Sequence, residues 1–169
     1  HVFPHWNWPG KEGQEIPVWV HSNCDEVELF LNGKSLGKKT MERNGHLEWQ
    51  VPYAPGKLEA RGISQGKQLS AVRETTGVAA GIALAPDRSD LTADGADLAW
   101  VAVSVVDEKG RTVPTAGNMV RFSVTGPGKI LGVGNGDSSC HEPDKATQRS
   151  AFNGLCMVLV QTTPTGGDI

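Results

Sequence analysis

The stretch HVFPHWNWPGKEGQEIPVWVHSN opens the chain and holds three of its five tryptophans. Trp6 and Trp8 stand two apart, so on an extended strand their indoles share a face. Two such rings could stack on the apolar faces of pyranose sugars, which makes Trp6 and Trp8 the candidate carbohydrate-binding residues. Burial is the competing reading and the favoured one, because an indole is costly to leave in water and its N–H finds backbone partners inside a sandwich. The exposure of Trp6, Trp8, Trp19 and Trp49 decides between the two.

A second cluster lies in GNGDSSCHEPDK, where Asn135, Asp137, Cys140, His141, Glu142 and Asp144 share one loop. Its oxygens are the type that ligate calcium. The spacing matches neither an EF-hand nor a zinc motif, and Gly, Asn, Asp and Ser are ordinary loop residues, so no metal and no other cofactor is assigned. His141 and Glu142 read as a surface pair. Cys24, Cys140 and Cys156 are odd in number and form no CxxC, which points to free thiols, buried or half-exposed. No P-loop, nucleophile elbow or dinucleotide fingerprint occurs.

The formal net charge is −3 and the isoelectric point about 5.9, which leaves no basic field for nucleic acid or an anionic membrane surface. No apolar run reaches the roughly 20 residues of a spanning helix, and the first residues lack the charged and apolar regions of a signal peptide, so any export signal is expected upstream.

The elements that must position these residues are strands. Alternation with period two runs through most of the chain, 21 glycines and 10 prolines favour turns, and no amphipathic helical pattern persists beyond one turn. Ile16, Val18 and Val20 share a face, as do Val27, Leu29 and Leu31 ahead of Asn32-Gly33, a strong hairpin turn. Leu47, Trp49 and Val51 alternate before Pro55-Gly56, then Leu58 and Ala60, then Gln65-Gly66 ahead of Leu69 and Ala71. Six or seven short strands therefore fit before Gly77. The pattern restarts with Ile82 and Leu84, then Val101, Val103 and Val105 towards Lys109-Gly110, then Val120, Phe122 and Val124, and finally LCMVLVQTT. The expected architecture is all-β, two antiparallel sandwiches spanning 1–77 and 78–169. The closing PTGGDI reads as a turn before a strand that does not follow, so the second sandwich is expected to lack its last strand.

HVFPHWNWPGKEGQEIPVWVHSNCDEVELFLNGKSLGKK and WQVPYAPGKLEARGISQGK resemble the immunoglobulin-like module that follows the catalytic barrel in glycoside hydrolase family 2 enzymes of the bacterial β-galactosidase type. IALAPDRSDLTADGADLAWVAVSVVDEKGRTVPTAGNMVRFSVTGPGKILGVGNGD and HEPDKATQRSAFNGL are similar to the bacterial immunoglobulin-like module after it. Cys140 and Cys156 depart from the family's pattern, standing where polar and aliphatic residues are expected.

The resemblance implies two immunoglobulin-like accessory modules without catalytic residues, belonging to an enzyme that cleaves terminal β-galactosides or related β-glycosides. The implied partners are that enzyme's catalytic barrel and N-terminal domains, with an oligomer formed through the parent, and the implied location is the bacterial periplasm or exterior. Retaining hydrolysis needs two carboxyl groups about 5–5.5 Å apart, projecting in a barrel enzyme from strand ends. Glu28, Glu48 and Glu59 instead sit opposite the apolar faces of alternating strands, where solvated charge is expected. The first strand is expected to run through HVFPHWNW, with Val2, Trp6 and Trp8 on one side and Phe3 and His5 on the other. The alternative function is a carbohydrate-binding module that tethers the enzyme to polysaccharide.

Overall fold

The computed structural model describes residues 1–169, which contain strands and turns and no helix. The chain divides into two compact units, His1–Thr76 and Gly77–Ile169.

In the first unit, β1 (Val2–Phe3), β2 (Glu15–Val20) and β5 (Leu47–Pro52) form a three-stranded sheet in the order β1-β2-β5. β3 (Glu26–Leu31), β4 (Lys34–Thr40), β6 (Lys57–Ser64) and β7 (Lys67–Glu74) form a second, in the order β4-β3-β6-β7. All the pairings are antiparallel. Burial follows the expected period: β2 and β5 alternate between exposed and buried side chains along their whole lengths. Val18, Val20, Trp49 and Val51 from one sheet meet Val27, Leu29, Leu58 and Ala60 from the other in a single core.

Turn chemistry closes the hairpins as the residues dictate. Asn32 and Gly33 both have positive φ, 51° and 82°, as do Gln65 and Gly66 at 50° and 75°. The Asn32 amide also reaches across the sheet, donating to Pro55 O at 3.1 Å and accepting from Lys57 N at 2.8 Å. Gly56, at φ 136°, lies so close beneath it that a β-carbon there would stand 1.9 Å from Asn32 Oδ1.

The first strand is shorter than expected. β1 stops at Phe3, and Pro4, which has no N–H for a ladder, begins an irregular segment in which Trp6 and Trp8 lie. The two indoles therefore do not share a strand face.

The second unit is unequal. β8 (Gly81–Pro86), β9 (Leu98–Val106), β11 (Gly128–Gly134) and β13 (Leu155–Thr162) form a four-stranded sheet in the order β11-β13-β9-β8. Only β10 (Met119–Arg121) and β12 (Gln148–Ser150) make up the two-stranded sheet. Phe122 and Val124, expected to extend β10, lie beyond it yet still pack against the core. Val103, Val105, Val120, Val158 and Val160 are buried. On the same face, Ile82 and Leu84 pair in register with Val105 and Val103, yet they remain 56% and 65% exposed. A groove of about 820 Å³ runs beside them, lined by Leu84, Val101, Phe122, Val158 and Ile169 among others.

This inequality separates two leucines that the sequence pattern treats alike. Leu29 has no exposed surface. Leu29→Ala is expected to cost about 2–5 kcal/mol, whereas Leu84→Ala is expected to stay within about 0.5 kcal/mol. Urea unfolding of the two variants against the parent chain is the check.

Candidate functional site

Trp6 is completely buried. Its indole N–H donates to Ala54 O at 2.9 Å, its ring meets Tyr53 edge to face at 5.2 Å, and its carbonyl accepts from Thr75 Oγ1 at 2.6 Å. The next residue, Asn7, donates from Nδ2 to Thr76 Oγ1 at 2.8 Å and accepts from Thr76 N at 3.0 Å. Trp8 is half-buried; its N–H donates to His5 O at 3.0 Å, its ring stacks on His5 at 4.5 Å, and Lys11 Nζ lies 4.9 Å from the ring centre. Burial holds the His5 imidazole below its ordinary pKa, favouring the neutral ring. These contacts close the first unit and leave Trp6 no surface for a ligand.

Trp49 is buried as well, at 6% exposure, whereas Trp19 keeps 40% of its surface. Trp19 projects from the outer side of β2, opposite Phe3 on β1 and Glu48 on β5. Phe3 and Trp19 rings lie 5.7 Å apart, Phe3 stacks on His21 at 5.2 Å, His21 on His46 at 5.5 Å, and Trp19 lies 4.8 Å from His46. Gln50 Nε2 donates to Glu48 Oε1 at 2.9 Å along the same strand face. The sequence marks Trp19 as one of the indoles whose exposure matters, but not the rings that gather around it. The signal for its outward direction was present: Trp19 alternates with Val18 and Val20, both assigned inward.

The carboxylates on strands serve the sheets. Glu59 is only 13% exposed at its side chain and lies 3.0 Å from both Lys57 Nζ and Arg61 Nη2, so it is paired rather than freely solvated. The hydrogen bond from Arg61, followed by that from Lys57, lowers its pKa to about 2. Glu28 accepts from Ser35 Oγ at 2.6 Å, and Glu48 is exposed beside Gln50.

The loop after β11 is equally committed. Asp137 accepts from Ser139 N at 2.9 Å and Ser139 Oγ at 2.7 Å, which holds its pKa down. Glu142 accepts from Ser150 N at 2.9 Å and lies 4.0 Å from Arg149 Nε. Arg149, 2% exposed, donates to Asp144 Oδ1 at 2.6 Å, Val133 O at 3.1 Å and Cys140 Sγ at 3.1 Å. Asn135 contributes its side-chain amide to Ser150 O at 2.9 Å. Cys24 and Cys156 are buried free thiols and Cys140 is a half-exposed one.

A second buried charge sits in the other turn of this unit. Asp107 accepts from Gly77 N at 2.9 Å, Lys109 N at 3.0 Å, and Arg111 through its backbone N–H at 2.9 Å, Nε at 3.0 Å and Nη2 at 2.7 Å. Arg111 first, then the Gly77 N–H, holds this carboxyl well below the usual carboxylate range.

Residues 82–169 match the family model for glycoside hydrolase family 2 C-terminal domain 5, and residues 13–70 match a domain family of unknown function, DUF4982. The chain belongs to the glycoside hydrolase family 2 C-terminal domain 5 family. It is 48% identical over 165 residues to the β-galactosidase BoGH2A of Bacteroides ovatus, covering 95% of this chain and 19% of that protein. A putative β-glucuronidase of Formosa agariphila is 35% identical over 173 residues, with 97% and 16% covered. The crystal structure of a β-glycosidase from Bacteroides vulgatus superimposes with a TM-score of 0.93 at 39% identity, covering 99% of this chain and 22% of that one. The chain thus spans about a fifth of the length of these relatives and corresponds to an accessory part of a family 2 glycoside hydrolase.

Two outcomes follow from the buried groups. Trp6→Ala is expected to destabilise the first unit by about 3–5 kcal/mol, read from denaturant unfolding followed by tryptophan fluorescence. Asp107 has a folded pKa below its unfolded one, so its stabilisation is complete above the unfolded value near 4 and is lost as pH falls towards the folded value. Asp107→Asn is therefore expected to flatten the acid limb of the thermal stability profile and to cost about 1.5–3 kcal/mol at neutral pH.

Proposed function

We propose that this chain is the non-catalytic C-terminal accessory region of a β-galactosidase-type enzyme, one that hydrolyses terminal β-galactosides or related β-glycosides in carbohydrate catabolism. The match to a Bacteroides ovatus β-galactosidase along 95% of this chain and 19% of the enzyme carries the reading. The chain's own chemistry agrees with it. Glu28, Glu59, Asp107, Asp137, Glu142 and Asp144 are each occupied by hydrogen bonds or ion pairs; Glu59, Asp107, Asp137 and Glu142 are also held below their ordinary pKa, and an acid kept ionised is a poor proton donor at neutral pH.

The catalytic barrel and N-terminal domains of the parent are the proposed partners, and the accessory units support its fold, its oligomer contacts or access to its substrate. The periplasm or cell exterior of a bacterium is the proposed location, where polymeric glycosides are met.

Incubation of the purified 169-residue chain with a chromogenic β-galactoside is expected to give no turnover, while the full-length parent cleaves it. Turnover by the chain that disappears with a Glu→Gln change within it would overturn the reading. So would a parent that acts on no β-glycoside.

A further inference from the structure

We propose that the outer face of the β1-β2-β5 sheet, centred on Trp19, is a binding site for the pyranose rings of an oligosaccharide. In a two-layer sandwich the outward side of each strand needs only to be wetted; on the four-stranded sheet it mixes Lys57, Glu59 and Arg61 with Ile63 and Val72, and its one ring, Phe30, is covered by the Arg61 guanidinium at 4.3 Å. The three-stranded sheet departs from this. It links Phe3, Trp19, His46 and His21 in a closed circuit of ring contacts at 4.8–5.7 Å, and leaves Trp19 40% exposed. Cross-strand ring pairs do stabilise a sheet. That role alone gives no reason to keep so much of the largest ring in water.

The composition of the face selects the ligand. Trp19 stands between Phe3 and Glu48 across the strands, with Pro17 before it on the same face of β2. Its direct cross-strand neighbour on the other side is Glu48, hydrogen-bonded to Gln50, and the imidazoles of His21 and His46 complete the surround. A protein-docking patch needs a core depleted of charge. A pyranose has the opposite demand: its C–H face packs on an aromatic ring, and its equatorial hydroxyls need donors and acceptors at the rim. Indole, carboxylate, amide and imidazole supply both. The scaffold is also rigid, because the inward side chains of the same strands, Val2, Val18, Val20, Leu47, Trp49 and Val51, are all buried. The curated relatives are named as enzymes of β-galactosides and β-glucuronides, so a glycan is the molecule such an accessory unit meets. The choice of galactan as first probe rests on the parentage proposed above; the site itself does not.

Native affinity electrophoresis of the 169-residue chain in gels containing β-1,4-galactan, polygalacturonate or hydroxyethylcellulose tests this. Retardation by at least one polysaccharide is expected, with Trp19→Ala and Glu48→Ala each weakening it tenfold or more while the thermal midpoint stays within a few degrees of the parent chain. Retardation by a glycan other than galactan supports the site and counts against the galactoside parentage. Mobility unchanged in all three gels overturns the site, as does retardation that both variants retain. A chain that sediments as a dimer, becomes a monomer on Trp19→Ala and ignores every glycan would show the face to be a protein interface, and the proposal would fall.

Discussion

The first unit depends on the burial of one indole in a segment that has left its strand. Once Pro4 ends the β1 ladder, the backbone of residues 5–8 has no sheet to satisfy it, and such a stretch is stable only if its polar groups find other partners. Trp6 anchors the segment through backbone and side chain together. Its carbonyl takes the hydroxyl of Thr75 after β7, its indole N–H donates to the carbonyl of Ala54 after β5, and the ring fills the core against Tyr53. The entry to the unit, the turn between its sheets and its last strand are thereby tied at one point. Asn7 repeats the tie on Thr76. A residue that offers sugar chemistry in the sequence is thus spent on closing the fold.

In the second unit the corresponding role falls to charge. Asp107 gathers the donors of a tight turn and the amide of Gly77 around one carboxylate, and Arg149 spreads a buried guanidinium over a carbonyl, a carboxylate and a thiol in the loop after β11. Arg149 Nε is buried without a hydrogen-bond partner, so the arrangement is not perfectly matched. Breaking a buried pair leaves a stranded charge, which costs more than the pair gained by forming. In this loop Asp137 Oδ1 is turned towards Ser139, Glu142 Oε2 towards the Ser150 N–H and Asp144 Oδ1 towards Arg149.

Much of this architecture was legible in the residues. Inward positions such as Ile16, Val18 and Val20 followed from period two, and the Asn32-Gly33 turn from the need for two consecutive positive φ angles. Three things were hidden, each for a physical reason. Pro4 shortened the first strand, because the loss of one donor outweighed the alternation around it. Ile82 and Leu84 alternate as core residues do, but alternation reports which way a side chain points and not whether anything lies opposite. The cluster around Trp19 was hidden because period two gives only the outward direction of its indole; the fold is needed to show that Phe3, His21 and His46 gather about it.

The amide of Asn32 spans two turns at once, holding the carbonyl of Pro55 and the N–H of Lys57 while Gly56 passes beneath it with no room for a methyl group. Any side chain at 56 collides with the amide at 32, and any residue at 32 without both a donor and an acceptor abandons the turn at 55–57. A side chain at 56 is therefore accommodated only where the amide at 32 moves or is lost, which couples the two positions in any redesign of the turn.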